Sequence, residues 1–418
     1  LLAEAALGVA PGLFAVEAGV FDELLVSLLQ RSLRLLRADQ VALRALVLSR
    51  LGMALFWSDQ GQESARLSGE AWRIAAKAED PALRLQILLG RWLAEWEPYA
   101  TEHRERIAKE ALALARVVQD RELLAMSLLY GLVVALERGA LERFQQMGVE
   151  FRDLAEMLRQ PQALWYAKLI DCTCDLHAGR FARAEERARV YHKLGRTIGD
   201  ANATHSRMAQ GLLYASERGD ASGILSISEE GIERFPVFLG WRVSRCWGLA
   251  RLGRVAEAEI SLEELSKVGI GSVPRKLDWP TALVLLSETA FLLKRGPLAE
   301  ELFGLMRPLA GSEIVLGFCV MSWGPVARYL GLLCEVMGRR LEARTWYEQA
   351  IDEARRSRGE PWEAHALFGL ARVERLIADD RPLVPELATR AAEKARRLGM
   401  RHLAREISVD FGRDLIIT

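Results

Sequence analysis

The chain has 418 residues, a mass of 46.7 kDa, and 56 basic side chains against 56 acidic ones. An apolar fraction of 50% at zero net charge excludes a disordered chain, and a pI near 7.2 removes the basic footprint of a direct nucleic-acid binder. Such a length exceeds the ~250–300 residues of one compact core, so it implies several domains or one elongated array.

Residues 1–38 read as a helical cap. They carry no signal-peptide pattern, and a start at Leu1, not Met, reads as a piece cut from a longer protein or as an incomplete beginning. Residues 39–406 read as one array of helix pairs. Strand signals are almost absent, Ala, Leu, Arg and Glu dominate, and apolar residues recur at three- and four-residue steps. Turns containing glycine punctuate the helices at Gly61, Gly139, Gly179, Gly219, Gly253, Gly296 and Gly338. From Gly139 onward they are spaced by 34 to 43 residues. A turn near Glu97-Pro98-Tyr99 completes the series early in the chain, and another is expected near Asp379-Asp380. Looser connectors fall at Asp80-Pro81, Gln160-Pro161, Gly199-Asp200, Phe235-Pro236, Trp279-Pro280 and Glu360-Pro361. Residues 407–418 read as a closing tail. No run approaches the length of a membrane span. The richest apolar stretch, Ile314 to Val320, is much too short.

Within the units, Leu330-Gly331 precedes Gly338, and Ala343, Tyr347 and Ala350 follow it. That order matches the tetratricopeptide consensus, in which small residues let paired helices approach and an aromatic ring fills the hole between pairs. Leu51-Gly52, Leu89-Gly90, Tyr130-Gly131 and Phe368-Gly369 repeat part of it. The expected fold is all-α, an α-solenoid superhelix of about nine tetratricopeptide-like helix pairs with a period near 40.

Further motifs carry a resemblance. They are the run Ala178 to Glu185, the run Gly253 to Ala258, Leu277-Asp278-Trp279, and Arg307 to Gly311. Late in the chain come Gly359-Glu360-Pro361-Trp362 and the closing Ala395 to Met400. With them, the chain resembles the C-terminal tetratricopeptide-like region of large bacterial regulators of the maltose-activator-like group. Those proteins join a signal-transducing ATPase module to a cyclase, kinase or DNA-binding output domain. The resemblance implies a cytoplasmic, non-catalytic sensor or scaffold module. It would take a protein or peptide partner, or a small-molecule inducer, and an ATPase or output domain would lie upstream in the same polypeptide. A stand-alone adaptor is the alternative. Neither reading needs a membrane or a cofactor, and the repeat surfaces are open to homo-oligomerisation.

Motifs of chemistry are missing. No Gly is followed by Lys, so a phosphate loop cannot form, and there is no HExxH, GxSxG or GxGxxG. Cys172, Cys174 and His177 form C-x-C-x-x-H, a spacing that does not suit zinc. An enzyme reading built on Cys172, His177 and His205 would require a reactive thiol of low pKa. The five cysteines suit reduced thiols. The 11 Trp residues read as repeat packing or as anchors on a concave face.

Setting the register from the helix glycines places nine residues on that concave face. They are Arg84, Arg91, Trp165, Lys168, Asp175, His205, Arg242, Arg328 and Glu335. Arg outnumbers Lys by 48 to 8. A groove rich in guanidinium groups would clamp carboxylates or phosphates bidentately.

Overall fold

A computed structural model describes residues 1–8, 19–199, 201–269, 275–377 and 383–412. The chain divides into two compact units. The first comprises Leu1–Val134, Phe144–Ala167 and Thr197–Asn202, and the second Ala135–Arg143, Lys168–Arg196 and Ala203–Thr418.

Among the described residues the fold is all-α apart from one hairpin. The first helices are α1 (Leu2–Gly8), α2 (Glu23–Leu35), α3 (Val41–Ala54), α4 (Gly61–Ala75), α5 (Pro81–Ala94), α6 (Thr101–Val118) and α7 (Arg121–Glu137). Next come α8 (Leu141–Leu158), α9 (Pro161–His177), α10 (Phe181–Thr197), α11 (Ala201–Arg218), α12 (Ala221–Arg234), α13 (Leu239–Arg251) and α14 (Val255–Val268). The last are α15 (Trp279–Leu292), α16 (Gly296–Met306), α17 (Val326–Val336), α18 (Arg340–Arg356), α19 (Glu360–Ile377), α20 (Leu383–Leu398) and α21 (Arg401–Phe411). Taken two by two from α3 to α20, they are the nine helix pairs of an α-solenoid of tetratricopeptide-like repeats.

In the first unit α3 packs on α4 and α5, and α5 on α6. Its core gathers Leu29, Val47, Leu48, Ala71 and Ile87, all essentially without exposed surface. In the second unit α13 packs on α15, α15 on α17 and α17 on α19, so the first helices of successive pairs stack in a row. The second helices α18 and α20 pack against them. The packing between successive helices is that of a quasi-one-dimensional array.

The turn glycines do what the left-handed backbone region requires. Gly139, Gly179, Gly219, Gly253 and Gly338 have φ between 61° and 76°. Each is followed by an N–H that reaches back across the turn, as Arg180 does to the Asp175 carbonyl at 2.8 Å and Arg339 to that of Cys334 at 2.9 Å. Two expected turn glycines differ. Gly61 and Gly296 are the first residues of α4 and α16, and at the second site Lys294 takes the positive φ, 53°. The 3₁₀ turn Pro98–Ala100 forms the early break. The turn expected at Asp379-Asp380, Asp200 of the Gly199-Asp200 connector, and residues 413–418 of the tail lie outside the described residues.

A β-hairpin, unanticipated by the helical reading, interrupts the array between α16 and α17. Strands β1 (Glu313–Leu316) and β2 (Met321–Pro325) pair antiparallel, with Val315 opposite Ser322. Every residue of both strands is buried. The Thr173 hydroxyl on α9 lies 2.6 Å from the Cys319 carbonyl at the hairpin tip, and the Gln210 amide on α11 donates to that of Val320 at 2.8 Å. Side chains from two helices therefore satisfy tip carbonyls that a two-stranded sheet leaves unpaired.

Candidate functional site

The nine residues expected on a concave face meet different environments. Arg84 on α5 is half-buried, 3.7 Å from Glu110. Arg91 pairs with Glu95 at 2.8 Å and lies over the Trp72 ring. Trp165 on α9 is 1% exposed and meets Tyr166 edge-on. Lys168, three residues on, is exposed. Asp175 is buried and holds three guanidinium groups, those of Arg180, Arg183 and Arg187, at 2.6, 3.1 and 2.9 Å.

His205 on α11 stacks on Phe238 at 4.4 Å, with Phe235 and Trp241 beside it. Burial among those rings disfavours its charged form and lowers its pKa to about 4. Arg328 on α17 is buried and donates to Glu288 on α15 at 2.6 Å, while Arg251 approaches the same carboxylate at 3.8 Å. Burial by itself would raise the Glu288 pKa. Arg328, Arg251 and His365 outweigh it and hold the carboxyl at about 2. Glu335 pairs with Arg372 at 2.9 Å and accepts from the Tyr347 hydroxyl. Arg242 is exposed and, with Arg245, Glu229 and Glu264, lines a cavity of about 410 Å³.

The tryptophans are packing elements. Trp92, Trp165, Trp241, Trp247, Trp279, Trp323 and Trp362 are buried, and the other four are half-buried.

The thiol chemistry required by the enzyme reading is contradicted. Cys172 has no exposed surface, its S–H points at the Ala184 carbonyl at 3.1 Å, and burial pushes its pKa up to about 12. Cys174 is raised to about 12 by the same cause. His177 turns away from both, with Nε2 2.8 Å from the Ser357 carbonyl and Nδ1 3.6 Å from Glu313. Among the described residues no group of three or more His, Cys, Asp or Glu side chains is placed to hold a metal ion. No helix there is long and apolar enough to cross a membrane.

The register from the helix glycines passed over a second cavity, of about 850 Å³, which opens where α10, α11 and α12 meet. Helix periodicity builds it. On α11 the positions Thr204, Arg207, Met208, Gly211, Tyr214, Ala215 and Arg218 recur at three- and four-residue steps and face one way. Arg189 and Arg196, seven apart on α10, supply one wall, and Ile227, Glu230 and Arg234 on α12 supply the other. Arg218 is neutralised by Glu185 at 2.6 Å and Arg234 by Glu230 at 2.7 Å. Asp220 caps α12 by accepting the Gly223 N–H at 2.8 Å. Arg189, Arg196 and Arg207 make no ion pair among the described residues. His192 lies 3.4 Å from the Thr204 hydroxyl. Its pKa is lowered first by burial and then by Arg207, Arg196 and Arg234.

No family model matches the chain, and no curated protein matches it. A similar solved structure is one titled "Structure of Naa15/Naa10 bound to HypK-THB", at 15% identity and a TM-score of 0.24. The match covers 94% of this chain but 61% of that one, so the present chain spans less than two thirds of its length.

Proposed function

We propose that this chain is a non-catalytic binding module, the sensor or scaffold arm of a bacterial signal-transduction or transcription regulator. What supports the reading is the α10–α12 cavity, which is open and holds three arginines without an ion pair beside two that are paired. The resemblance to the maltose-activator-like group supplies the context. An ATPase or output domain lies upstream in the same cytoplasmic polypeptide, and a protein, a peptide or a small inducer biases it by binding one of two states more tightly. Lys168 and Arg242 are the expected concave-face residues that a partner would meet directly. Arg84 and Arg91 are partly available, while Trp165, Asp175, His205, Arg328 and Glu335 act through the side chains they support.

The native size in the source cell tests this. An immunoblot with an antibody to the chain is expected to show a band well above 46.7 kDa. A band at 46.7 kDa would replace the regulator arm with a free-standing adaptor.

A further inference from the structure

We propose that the cavity between α10, α11 and α12 binds a small organic phosphate. Arg189, Arg196 and Arg207 would hold the phosphate, and Met208, Gly211 and Ile227 would receive the organic body. This deepens the reading of the chain as a ligand-binding module and rests on it.

Four observations carry the inference. The first is volume. About 850 Å³ falls in the range of small-molecule sites, ~300–1,000 Å³, and is far more than a bound water needs. The second is charge. Of five arginines in the lining, two are neutralised by carboxylates within 2.7 Å, which leaves three guanidinium groups on two helices without an ion pair. Glu185, already bonded to Arg218, is the carboxylate whose field Arg189 and Arg207 also share, and Arg207 lies over the Tyr214 ring, so the lining carries five arginines against the three carboxylates of Glu185, Asp220 and Glu230. A ligand that brings two negative charges balances that excess.

The third observation is head-group chemistry. The guanidinium fork matches oxyanions bidentately, and a phosphate dianion presents three equivalent oxygens, one for each arginine without an ion pair. A planar carboxylate offers two. The fourth is the floor. Gly211 lines the cavity, and a Cβ there would meet only Ile227 Cδ1, at 3.2 Å. Ile227 therefore packs close against the glycine, and with Met208 and Ala215 it gives an apolar surface next to the cationic wall. Charge at one end and apolar surface at the other select a phosphomonoester with an organic body over inorganic phosphate alone.

Calorimetric titration at low ionic strength tests the proposal, with phenyl phosphate as probe and phthalate as a dianion of equal charge bearing carboxylates. The expected result is saturable binding of phenyl phosphate and at least tenfold weaker binding of phthalate. The double substitution Arg189→Gln/Arg196→Gln removes two exposed, unpaired side chains. It should weaken phenyl phosphate binding at least tenfold while the helical circular-dichroism signal stays as in the parent. Arg37→Gln, an exposed position on another part of the chain, should change nothing.

Histidine NMR gives an independent reading, because an anion beside Arg196 and Arg207 offsets the field that adds to burial in lowering the His192 pKa. The midpoint of its titration should therefore move up on saturation. Equal affinity for phthalate would overturn the phosphate assignment. Binding unaffected by the double substitution would overturn the location, and the absence of saturable binding would overturn the site. An immunoblot band above 46.7 kDa together with no binding would remove this site and leave the module reading standing, and the opposite pair of results would do the reverse.

Discussion

Two helix pairs of the second unit carry a glycine at nearly the same register and treat the space beside it in opposite ways. Gly331 on α17 stands seven residues before its turn glycine, and Gly211 on α11 stands eight before its own. Beside Gly331 the Tyr347 ring fills the hole. A Cβ there would lie 3.0 Å from the ring, and one on Gly369 of the next pair would lie 2.4 Å from it. Beside Gly211 the Ile227 side chain arrives in place of a ring, 3.2 Å from where a Cβ would stand, and a cavity of about 850 Å³ opens along the same face. The arginines follow the same division. Around Tyr347, Arg328 and Arg372 are each paired with a carboxylate from a neighbouring helix. Around Gly211, three have no pair. One repeat architecture thus produces a closed, charge-balanced region and an open, unbalanced one. The difference lies in whether an aromatic residue arrives from the second helix of the pair and an acidic residue from the preceding pair.

The comparison breaks most visibly at Arg328. Arg328→Met removes one partner of a buried ion pair and leaves Glu288 with Arg251, 3.8 Å away, as its nearest cation. Breaking a buried pair in this way costs about 3 kcal/mol or more, read as a fall in the denaturant midpoint. Acid sharpens the test. In the parent the Glu288 carboxyl ionises near 2 when folded and near 4.5 when unfolded, so the unfolded chain takes up its proton first. The stability that Glu288 contributes is complete above pH 4.5 and is lost as pH falls toward 2. In Arg328→Met that loss should largely vanish. A steep acid limb retained in the variant would mean that the pair does not set this pKa.

A smaller effect is expected at Gly369. Gly369→Ala drives a methyl into the Tyr347 ring, an overpacking cost of about 1–3 kcal/mol that exceeds the ~0.5–1 kcal/mol gained by replacing a mid-helix glycine. Gly304 on α16 is exposed, with no atom within 4 Å of an added Cβ, so Gly304→Ala should raise the midpoint instead. Opposite signs for one substitution at two helix interiors would establish that the ring fills the hole. A rise at both would show that the closed region has slack.

The helix pairs were legible because their signal is local: turn glycines, Leu-Gly pairs and three- and four-residue apolar steps all lie within one unit. Tyr347 could be assigned to the hole for the same reason. The hairpin was not legible. Buried on both faces, Ile314 to Val320 shows no alternation, and a short apolar run without alternation reads equally as buried helix.

The arginines were the hardest part. Scanning for partners three or four residues away misses the pairs that decide their roles. Glu288 and Arg328 are 40 residues apart, Glu335 and Arg372 are 37 apart, and Glu300 and Arg339 are 39 apart. Those separations are close to one repeat, so the acidic partner sits on the preceding pair. Reading charge at a lag of one period separates spent arginines from unspent ones. Reading it along a single helix, as the concave-face register did, placed Arg328 beside Arg84 as though both were open.

The smallest effect on stability is expected where the comparison is most exposed to failure. Arg189→Gln/Arg196→Gln removes two surface cations that hold no ion pair among the described residues, so the denaturant midpoint should stay within about 0.5 kcal/mol of the parent. Any displacement should be upward, because taking away two like charges near Arg207 relieves repulsion, and it should shrink as added salt screens the parent. Arg339→Gln is the matched control: it removes an exposed arginine that does hold a carboxylate, Glu300 at 2.6 Å, and such pairs contribute about 0–1 kcal/mol. A double variant that falls further than this control would show that the α10–α12 arginines hold the helices together. The open region would then be as structural as the closed one. A double variant that holds its midpoint leaves those side chains free of any task in folding, and a cationic wall with no task in folding is what a binding site requires.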